Sequence, residues 1–161
     1  MDPVQQEVRI VPYAPRYRQA FHDLNKAWID QYFTMEPIDH QVLEHPATYI
    51  LDPGGAIWVA LVGETPVGVC ALMPDHEAPA TFELTKMGVD PAYQGLGIGY
   101  ALGRAVLEGA RQLGARRVYL ESNTVLEPAI RLYHKLGFKA FQGRHSPYSR
   151  CNIQMEVQLA P

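Results

Sequence analysis

The stretch that decides the fold runs Met87-Gly88-Val89-Asp90-Pro91 and, after Ala92-Tyr93, continues as Gln94-Gly95-Leu96-Gly97-Ile98-Gly99. Residues 81–89 are rich in β-prone side chains and predict a long strand that Asp90-Pro91 ends. After the glycines, apolar or small residues recur at helical spacing as far as Leu113, and Gly114 predicts the end of that helix. We therefore expect a strand, a glycine-rich turn and a helix at the centre of the chain.

The glycine-rich turn has the chemistry of an anion site. Glycines let the backbone approach a ligand closely, and the free N–H groups of a first helical turn attract phosphate. Taken alone the pattern is weak, because glycines also serve a tight turn. A dinucleotide fingerprint fits poorly, since the third glycine, Gly99, comes one residue early, and no Gly-Lys-Ser/Thr of a nucleotide hydrolase occurs. A nicotinamide-binding redox protein therefore remains only as the least favoured alternative for this chain.

The rest of the chain predicts alternating strands and helices in one domain. Strands are expected at 7–11, 56–62, 67–73, 117–121, 138–141 and 152–159, and helices from Pro15 to about Tyr32, at 38–43 and at 128–136. No linker, repeat or low-complexity segment interrupts residues 1–161. We expect a single α/β (α+β) domain, with a mixed central sheet of about six or seven strands flanked by helices.

Composition and charge exclude several classes of protein. The net charge of −3 argues against a nucleic-acid partner, and no apolar run is long enough to span a membrane. Cys70 and Cys151 form no disulfide framework or zinc-ligand spacing, and the six histidines show no metal-binding pair, so no metal is expected. The start of the chain lacks the pattern of a secretory signal, which predicts a cytoplasmic protein.

Two motifs together resemble the GNAT superfamily of N-acetyltransferases, and the resemblance covers nearly the whole chain. The first is Met87-Gly88-Val89-Asp90-Pro91 followed by Gln94-x-x-Gly97-x-Gly99. The second is Leu120-Glu121-Ser122-Asn123 followed by Ala129-Ile130-Arg131-Leu132-Tyr133-His134-Lys135-Leu136-Gly137-Phe138. One departure is that the asparagine often found three residues before the alanine is Leu126 here, so either Asn123 or Leu126 is the cofactor contact in that loop.

The resemblance implies acetyl-CoA as co-substrate. Its pyrophosphate would bind the N–H groups of the turn and its pantetheine would pair with the backbone of the preceding strand, as in strand addition. The cofactor-binding residues implied are Met87, Gly88, Val89, Gln94, Gly95, Leu96, Gly97, Ile98, Gly99, Asn123 and Tyr133. Gln94 is neutral where many relatives carry arginine, so less of the phosphate binding can come from its charge.

Tyr133 and Glu83 are the candidate catalytic residues. Tyr133 stands where family members use a tyrosine as general acid toward the leaving thiolate, and this role is favoured over simple packing against the sheet. Glu83 lies on the central strand and could deprotonate the attacking amine, or be a surface acid paired with Lys86. Glu121 and a water are the other candidate bases. Strict alternation would place Glu83, Thr85, Met87 and Val89 on one face of the strand and Phe82, Leu84, Lys86 and Gly88 on the other.

The function expected is acetyl transfer from acetyl-CoA to a primary amine, by direct attack in a ternary complex. The alternative on the same fold is a non-catalytic acyl-CoA-binding or regulatory module. The acceptor would be a small-molecule or peptide amine, and a homodimer is left open. Residues 1–100 carry a net charge of −8 and residues 101–161 a net charge of +5. Acids of the early helices, Asp30, Glu36 and Asp39, would therefore favour a cationic acceptor.

Overall fold

A computed structural model describes residues 7–161. Two expectations lie outside the described residues: that the start of the chain is not a secretory signal, and that residues 1–6 belong to the domain. Seven strands form one sheet: β1 (Val8–Pro12), β2 (Ala56–Val62), β3 (Thr65–Pro74), β4 (Thr81–Val89), β5 (Arg117–Ser122), β6 (Lys139–Phe141) and β7 (Ile153–Gln158). The expectation of a mixed sheet of six or seven strands flanked by helices is confirmed.

Four α-helices cover the sheet: α1 (Arg18–Tyr32), α2 (Pro37–Glu44), α3 (Ile98–Gln112) and α4 (Glu127–Lys135). The predicted start of α1 at Pro15 is a separate 3-10 turn, Pro15–Tyr17. A π-helical turn, Ala47–Leu51, and a 3-10 turn, Pro91–Tyr93, were not predicted. Within residues 7–161, no helix is long and apolar enough to cross a membrane.

The sheet has the order β1-β2-β3-β4-β5-β7-β6 and splits at its centre. β4 and β5 are the parallel neighbours, and they pair only from Thr81 to Glu83 against Arg117 to Tyr119. Beyond Glu83 the two strands lie side by side without pairing, which opens a cleft between them. All other neighbouring strands in the described sheet are antiparallel, and this excludes the mostly parallel dinucleotide-binding sheet considered above.

Two apolar cores lie on opposite faces of this sheet. On one face α1, α2 and the π-helical turn cover β2 and β3, with Phe21, Ile29 and Leu43 fully buried. On the other face α3 and α4 cover the centre, with Leu102 and Phe138 among the buried side chains. Because helices cover both faces, the central strands carry apolar side chains on both sides.

α3 packs closely against α4 because two of its glycines leave room for leucines. A Cβ at Gly99 would lie 3.0 Å from a methyl of Leu132, and one at Gly103 would lie 2.4 Å from a methyl of Leu136. The glycines within the helix thus serve its packing against α4, whereas the glycines before the helix form the turn.

A β-bulge in β4 changes which side chains share a face. Val69 pairs with Gly88 but Ala71 pairs with Thr85, so two residues of β4 oppose Cys70, and Lys86 adopts a positive φ of 53°. Leu84 and Met87 both pack against the α3 side, although they are three residues apart. The alternation expected for this strand was therefore wrong: Glu83 and Thr85 lie on the α1 side with Lys86 and Gly88, while Phe82, Leu84, Met87 and Val89 lie on the α3 side.

Candidate active site

The cleft between β4 and β5 is the candidate active site. It has a volume of about 500 Å³ and runs from the N-terminus of α3, past the ends of β4 and β5, to the side of α1. Its walls include most of the residues singled out from the sequence: Glu83, Met87, Gly88, Val89, Gln94, Gly95, Gly97, Ile98, Gly99, Glu121, Asn123, Leu126 and Tyr133. Leu96 is the exception, since its side chain is 44% exposed and does not line the cleft.

At one end of the cleft, the glycine-rich turn presents backbone amides. Gly95 and Gly97 adopt left-handed φ angles of 80° and 82°, which other residues adopt at a cost. Gly97 caps α3, and the first bond in the helix is from the amide of Ala101 to the carbonyl of Gly97, at 3.0 Å. The amides of the first turn therefore have no partner within the helix, and the positive end of the helix dipole faces the cleft.

Side chains near this turn add positive charge that the sequence motif did not indicate. The Lys135 ammonium lies 4.5 Å from the centre of the Tyr100 ring, and both residues line the cleft. Arg104 donates to the Tyr100 hydroxyl at 3.4 Å. The side-chain amide of Gln94, by contrast, donates to the Val89 carbonyl at 3.3 Å and brings no charge. The basic residues of α3 and α4 were visible in the sequence, but only the packing of the two helices shows that they meet here.

Tyr133 lies near the middle of the cleft, on α4. Its ring packs edge-on against Phe138, with the ring centres 6.1 Å apart, so both the packing role and the proximity to the cleft are observed. Among residues 7–161 its hydroxyl has no hydrogen-bond partner. Burial, with a smaller contribution from Cys70, raises the pKa of Tyr133, so the hydroxyl keeps its proton at neutral pH.

Two carboxyl groups, those of Glu83 and Glu121, line the cleft where the pairing of β4 and β5 ends. Burial raises the pKa of Glu83 to about 8, and the nearby charge of Glu121 adds to the effect. Glu121 accepts a hydrogen bond from the side-chain amide of Gln154 at 2.9 Å. Glu83 has no salt bridge to Lys86, contrary to the alternative considered from the sequence, because Lys86 pairs with Asp39.

In the loop after β5, both Asn123 and Leu126 line the cleft. The Asn123 side chain is already engaged at both ends: it donates to the Arg150 carbonyl at 2.8 Å and accepts from the Val125 amide at 2.9 Å. Leu126 presents an apolar side chain and caps α4. Asn123 therefore holds this loop against the segment before β7, which leaves its backbone and the Leu126 side chain to face a ligand.

At the other end of the cleft, a buried ionic network joins three distant parts of the chain. Asp39 of α2 is fully buried and accepts from Lys86 at 2.6 Å and from Arg150 at 2.7 Å on each oxygen. Burial alone would raise the pKa of Asp39, but the bonds from Arg150 and Lys86 lower it to about 2. Lys86 also donates to the Tyr148 hydroxyl at 3.0 Å, and Glu36 lies 3.3 Å from Arg150.

The ion pairs of these acids contradict the expectation that the acids of the early helices attract a cationic acceptor. Asp30 pairs with Lys26 on the surface of α1, and Glu36 and Asp39 pair with Arg150, so these acids do not present unneutralised charge to an acceptor. Sequence reasoning missed Lys86, Arg150 and Cys151 as cleft residues. Lys86 gave a signal, since it is the single cation in an otherwise uncharged or acidic strand, whereas Arg150 lies in an irregular loop with no periodicity to place it.

Aromatic side chains close this end of the cleft. Trp28, Tyr32 and Phe33, at the end of α1, line it together with Tyr148. The Trp28 and Phe33 rings pack edge to face with their centres 6.4 Å apart. The Arg150 guanidinium lies 4.4 Å from the centre of the Tyr148 ring and 5.7 Å from that of Trp28. These rings give the α1 end of the cleft an aromatic wall.

Comparison with solved structures places this architecture among known acetyltransferases. An acetyltransferase of the GNAT family from Staphylococcus aureus Mu50 superimposes with a TM-score of 0.86 at 20% identity, over 96% of this chain and all of that one. An acetyltransferase from Salmonella typhimurium, solved with its cofactor acetyl-CoA, gives a TM-score of 0.73 at 19% identity over 96% and 95% of the two chains. These likenesses show the fold.

Comparison of sequences gives the family. N-acetylaspartate synthetase from Rattus norvegicus is 41% identical over 91 residues, which are 56% of this chain and 30% of that protein. The chain thus aligns with less than a third of that relative's length. The sequence profile of the acetyltransferase (GNAT) family matches residues 18–138, from α1 to the end of the tyrosine motif. The chain belongs to the GNAT family of acetyltransferases, as its two motifs predicted.

Proposed function

We propose that this protein transfers an acetyl group from acetyl-CoA to a primary amine, by direct attack in a ternary complex. The observation that carries the proposal is the set of groups that line one cleft: the glycine-rich turn with its backbone amides, the Tyr133 hydroxyl, and the carboxyl groups of Glu83 and Glu121. A binding module would need the turn but would have no use for a protonated tyrosine in the same cleft as Glu83, a carboxyl whose pKa is raised.

The residues present fit acetyl-CoA. The amides of Gln94 to Gly99 would hold the pyrophosphate, helped by the positive charge of Lys135. Beyond Glu83 the edge of β4 has no strand partner on the β5 side, so the backbone from Met87 to Val89 can pair with the amide-bearing pantetheine arm. When bound, acetyl-CoA supplies an activated acyl group whose leaving group is a thiolate.

Glu83 is the group proposed to remove a proton from the acceptor. An amine must lose its proton before its nitrogen can attack a carbonyl carbon, and a base with a pKa near 8 is suited to that step close to neutral pH. Glu83 would take the proton directly or through a water. Glu121, whose charge helps to raise the pKa of Glu83, is the second candidate.

Tyr133 is the group proposed to protonate the leaving thiolate. The new carbon–nitrogen bond forms as the carbon–sulfur bond breaks, and the sulfur then takes the hydroxyl proton of Tyr133. Because the hydroxyl is uncommitted to other hydrogen bonds and stays protonated, it can serve as donor. Neither cysteine is suited to form an acyl-enzyme, because burial raises the pKa of both Cys70 and Cys151, which supports direct transfer.

Two measurements test the proposal. Calorimetry should detect binding of acetyl-CoA and not of a nicotinamide cofactor, and a panel of amines should be screened for thiol release with acetyl-CoA. Binding of acetyl-CoA without turnover of any amine would favour the non-catalytic acyl-CoA-binding module. A preference for the nicotinamide cofactor would overturn the proposal altogether.

The cellular setting and assembly of the protein are also proposals. We propose a cytoplasmic location, supported by two cysteines that form no disulfide and lie in the described residues. We further infer that the partners are small-molecule or peptide amines rather than nucleic acid or membrane, in keeping with the net charge of −3. Cell fractionation tests the location, and light scattering tests whether the protein forms the homodimer that the sequence left open.

A further inference from the structure

We propose that the amine acceptor also carries a carboxylate, and that Arg150 and the Tyr148 hydroxyl bind this carboxylate at the α1 side of the cleft. The inference rests on the proposed acetyltransferase function and names its substrate class: a zwitterionic acceptor of the amino-acid type. It replaces the cationic acceptor expected from the charges of the early helices, since those acids are paired with cations.

Arg150 has hydrogen-bonding capacity left after its structural contacts. Its guanidinium has five N–H donors, and three are used within the described residues, two on Asp39 and one on Glu36. Its side chain is 11% exposed and lines the cleft, whereas that of Lys86 is only 3% exposed. Arg150 is therefore the cation of the network that a ligand can reach. Lys86 is more deeply buried and binds the same Asp39 carboxylate.

Tyr148 supplies a second donor beside Arg150. Its hydroxyl accepts a hydrogen bond from the Lys86 ammonium at 3.0 Å, so its own proton must be donated elsewhere. Among the side-chain hydrogen bonds of residues 7–161, the Tyr148 hydroxyl takes part in that one alone, as the acceptor. Burial and the nearby carboxylate of Asp39 raise the pKa of Tyr148, so the hydroxyl remains a donor at physiological pH. A guanidinium and a neutral hydroxyl that line the same cleft are suited to bind a carboxylate.

A negative charge that can attract the ammonium group of a zwitterion lies in the same cleft. The Cys151 thiol lies 4.0 Å from a carboxylate oxygen of Glu121, so Glu121 is beside the residue that follows Arg150, and all three residues line the cleft. Glu121 can attract the ammonium form of the acceptor and Glu83 can take up its proton, while Arg150 and Tyr148 hold its carboxylate. A simple cation would satisfy the first pair and leave the second without a ligand, and a simple anion would do the reverse.

The experiment compares matched acceptors on the wild-type protein. The twenty amino acids, their carboxamides and the corresponding decarboxylated amines are assayed by thiol release. Each rate is divided by the concentration of neutral amine, because a carboxamide lowers the pKa of its own amine. We expect the best amino acids to exceed their carboxamides by about ten- to a hundred-fold in kcat/KM, the effect of a lost charge-assisted contact.

Variants then assign the preference to the two residues. Arg150→Gln and Tyr148→Phe should each reduce the preference for the carboxylate and raise the acceptor KM, while acetyl-CoA affinity stays unchanged and shows that the variants are folded. Arg150→Lys should restore part of the preference. Arg144→Gln is the matched control, because Arg144 lies in the same loop but pairs with Asp75 and Glu77 outside the cleft and should leave the preference as it is.

The outcomes distinguish failure of the carboxylate site from failure of the acetyltransferase function. If amines react but no amino acid exceeds its carboxamide, the carboxylate site is wrong and the acetyltransferase function stands. If the preference exists but survives Arg150→Gln, the carboxylate binds elsewhere and the site assignment is overturned. If no amine of any class reacts, the proposed function fails, and the inference built on it fails as well.

Discussion

Replacing Glu83 by glutamine should make the protein more stable at alkaline pH while it removes the proposed catalytic base. In the folded state burial raises the pKa of Glu83 from 4.5 to about 8. Between these values the folded protein binds a proton that the unfolded chain has lost, so the stability supplied by this group is complete below pH 4.5 and is lost as the pH rises through 8. A glutamine has no proton to lose and removes this decline.

The size of the effect follows from the width of that interval. The full interval corresponds to a loss of about 5 kcal/mol, and the part between pH 5 and pH 8 to about 3.5 kcal/mol. We therefore expect the difference in unfolding free energy between Glu83→Gln and wild type to grow by about that amount from pH 5 to pH 8. Urea unfolding at several pH values measures it, and Asp30→Asn, at a surface salt bridge, provides a control with little pH dependence.

The same variant is assayed for turnover with an acceptor whose amine pKa is below 7, so that deprotonation of the free acceptor does not hide that of the enzyme. Wild-type kcat/KM should rise with pH and level off near 8, and Glu83→Gln should lose about 10²- to 10⁴-fold along with that inflection. A difference in unfolding free energy that stays constant from pH 5 to 8 would refute the reasoning, because Glu83 would then ionise at its ordinary pKa. A wild-type inflection that survives in the variant would transfer the role of base to Glu121 or a water.

Three further variants test other parts of the cleft. Tyr133→Phe should lower kcat about 10²- to 10⁴-fold in a chemistry-limited assay with acetyl-CoA affinity nearly unchanged, and unchanged turnover would rule out its role as proton donor. Gly97→Ala and Gly114→Ala should both lose about 1 to 2 kcal/mol of stability, because each glycine has a positive φ and open space around it, but only the first should weaken acetyl-CoA binding by calorimetry. Asp39→Asn should lose about 3 to 5 kcal/mol at pH 7, because two buried cations lose their counter-ion, and this cost should shrink as the pH falls through 4 toward 2; a pH-independent cost in urea unfolding would contradict the network.

The sequence predicted the part of the site that is local in the chain. The glycine-rich turn, the start of α3 at Ile98 and the placement of Tyr133 depend on backbone preferences and helical spacing within about a dozen residues, and each is found where it was expected. Leu96 was included because it lies inside the motif, but its side chain points to solvent, since only the backbone of that turn is constrained.

The acceptor end of the cleft could not be predicted in the same way, because it is built from long-range contacts. The bulge at Lys86 depends on how β3 pairs with β4, and it reverses the faces that alternation predicts for the rest of the strand. Asp39 and Arg150 are 111 residues apart in sequence, and nothing in either local pattern indicates that they meet. The charge of Glu36 and Asp39 was misjudged because their partner, Arg150, could not be assigned without the fold. The partner of Asp30 could have been, since Lys26 is four residues earlier in the predicted helix.

The short pairing between β4 and β5 gives the molecule a hinge. Strand pairing between the two halves of the described sheet is confined to the residues from Thr81 to Glu83, and each half is otherwise held by its own antiparallel ladders. Rotation of one half of the sheet against the other would distort few backbone hydrogen bonds. The leucines of α4 that pack against Gly99 and Gly103 of α3 hold one side of the cleft together. On the other side the halves are tied by ion pairs of Arg144 and Arg150. Widening of the cleft therefore requires these ion pairs to separate, and we expect release of the thiol product to depend on that opening.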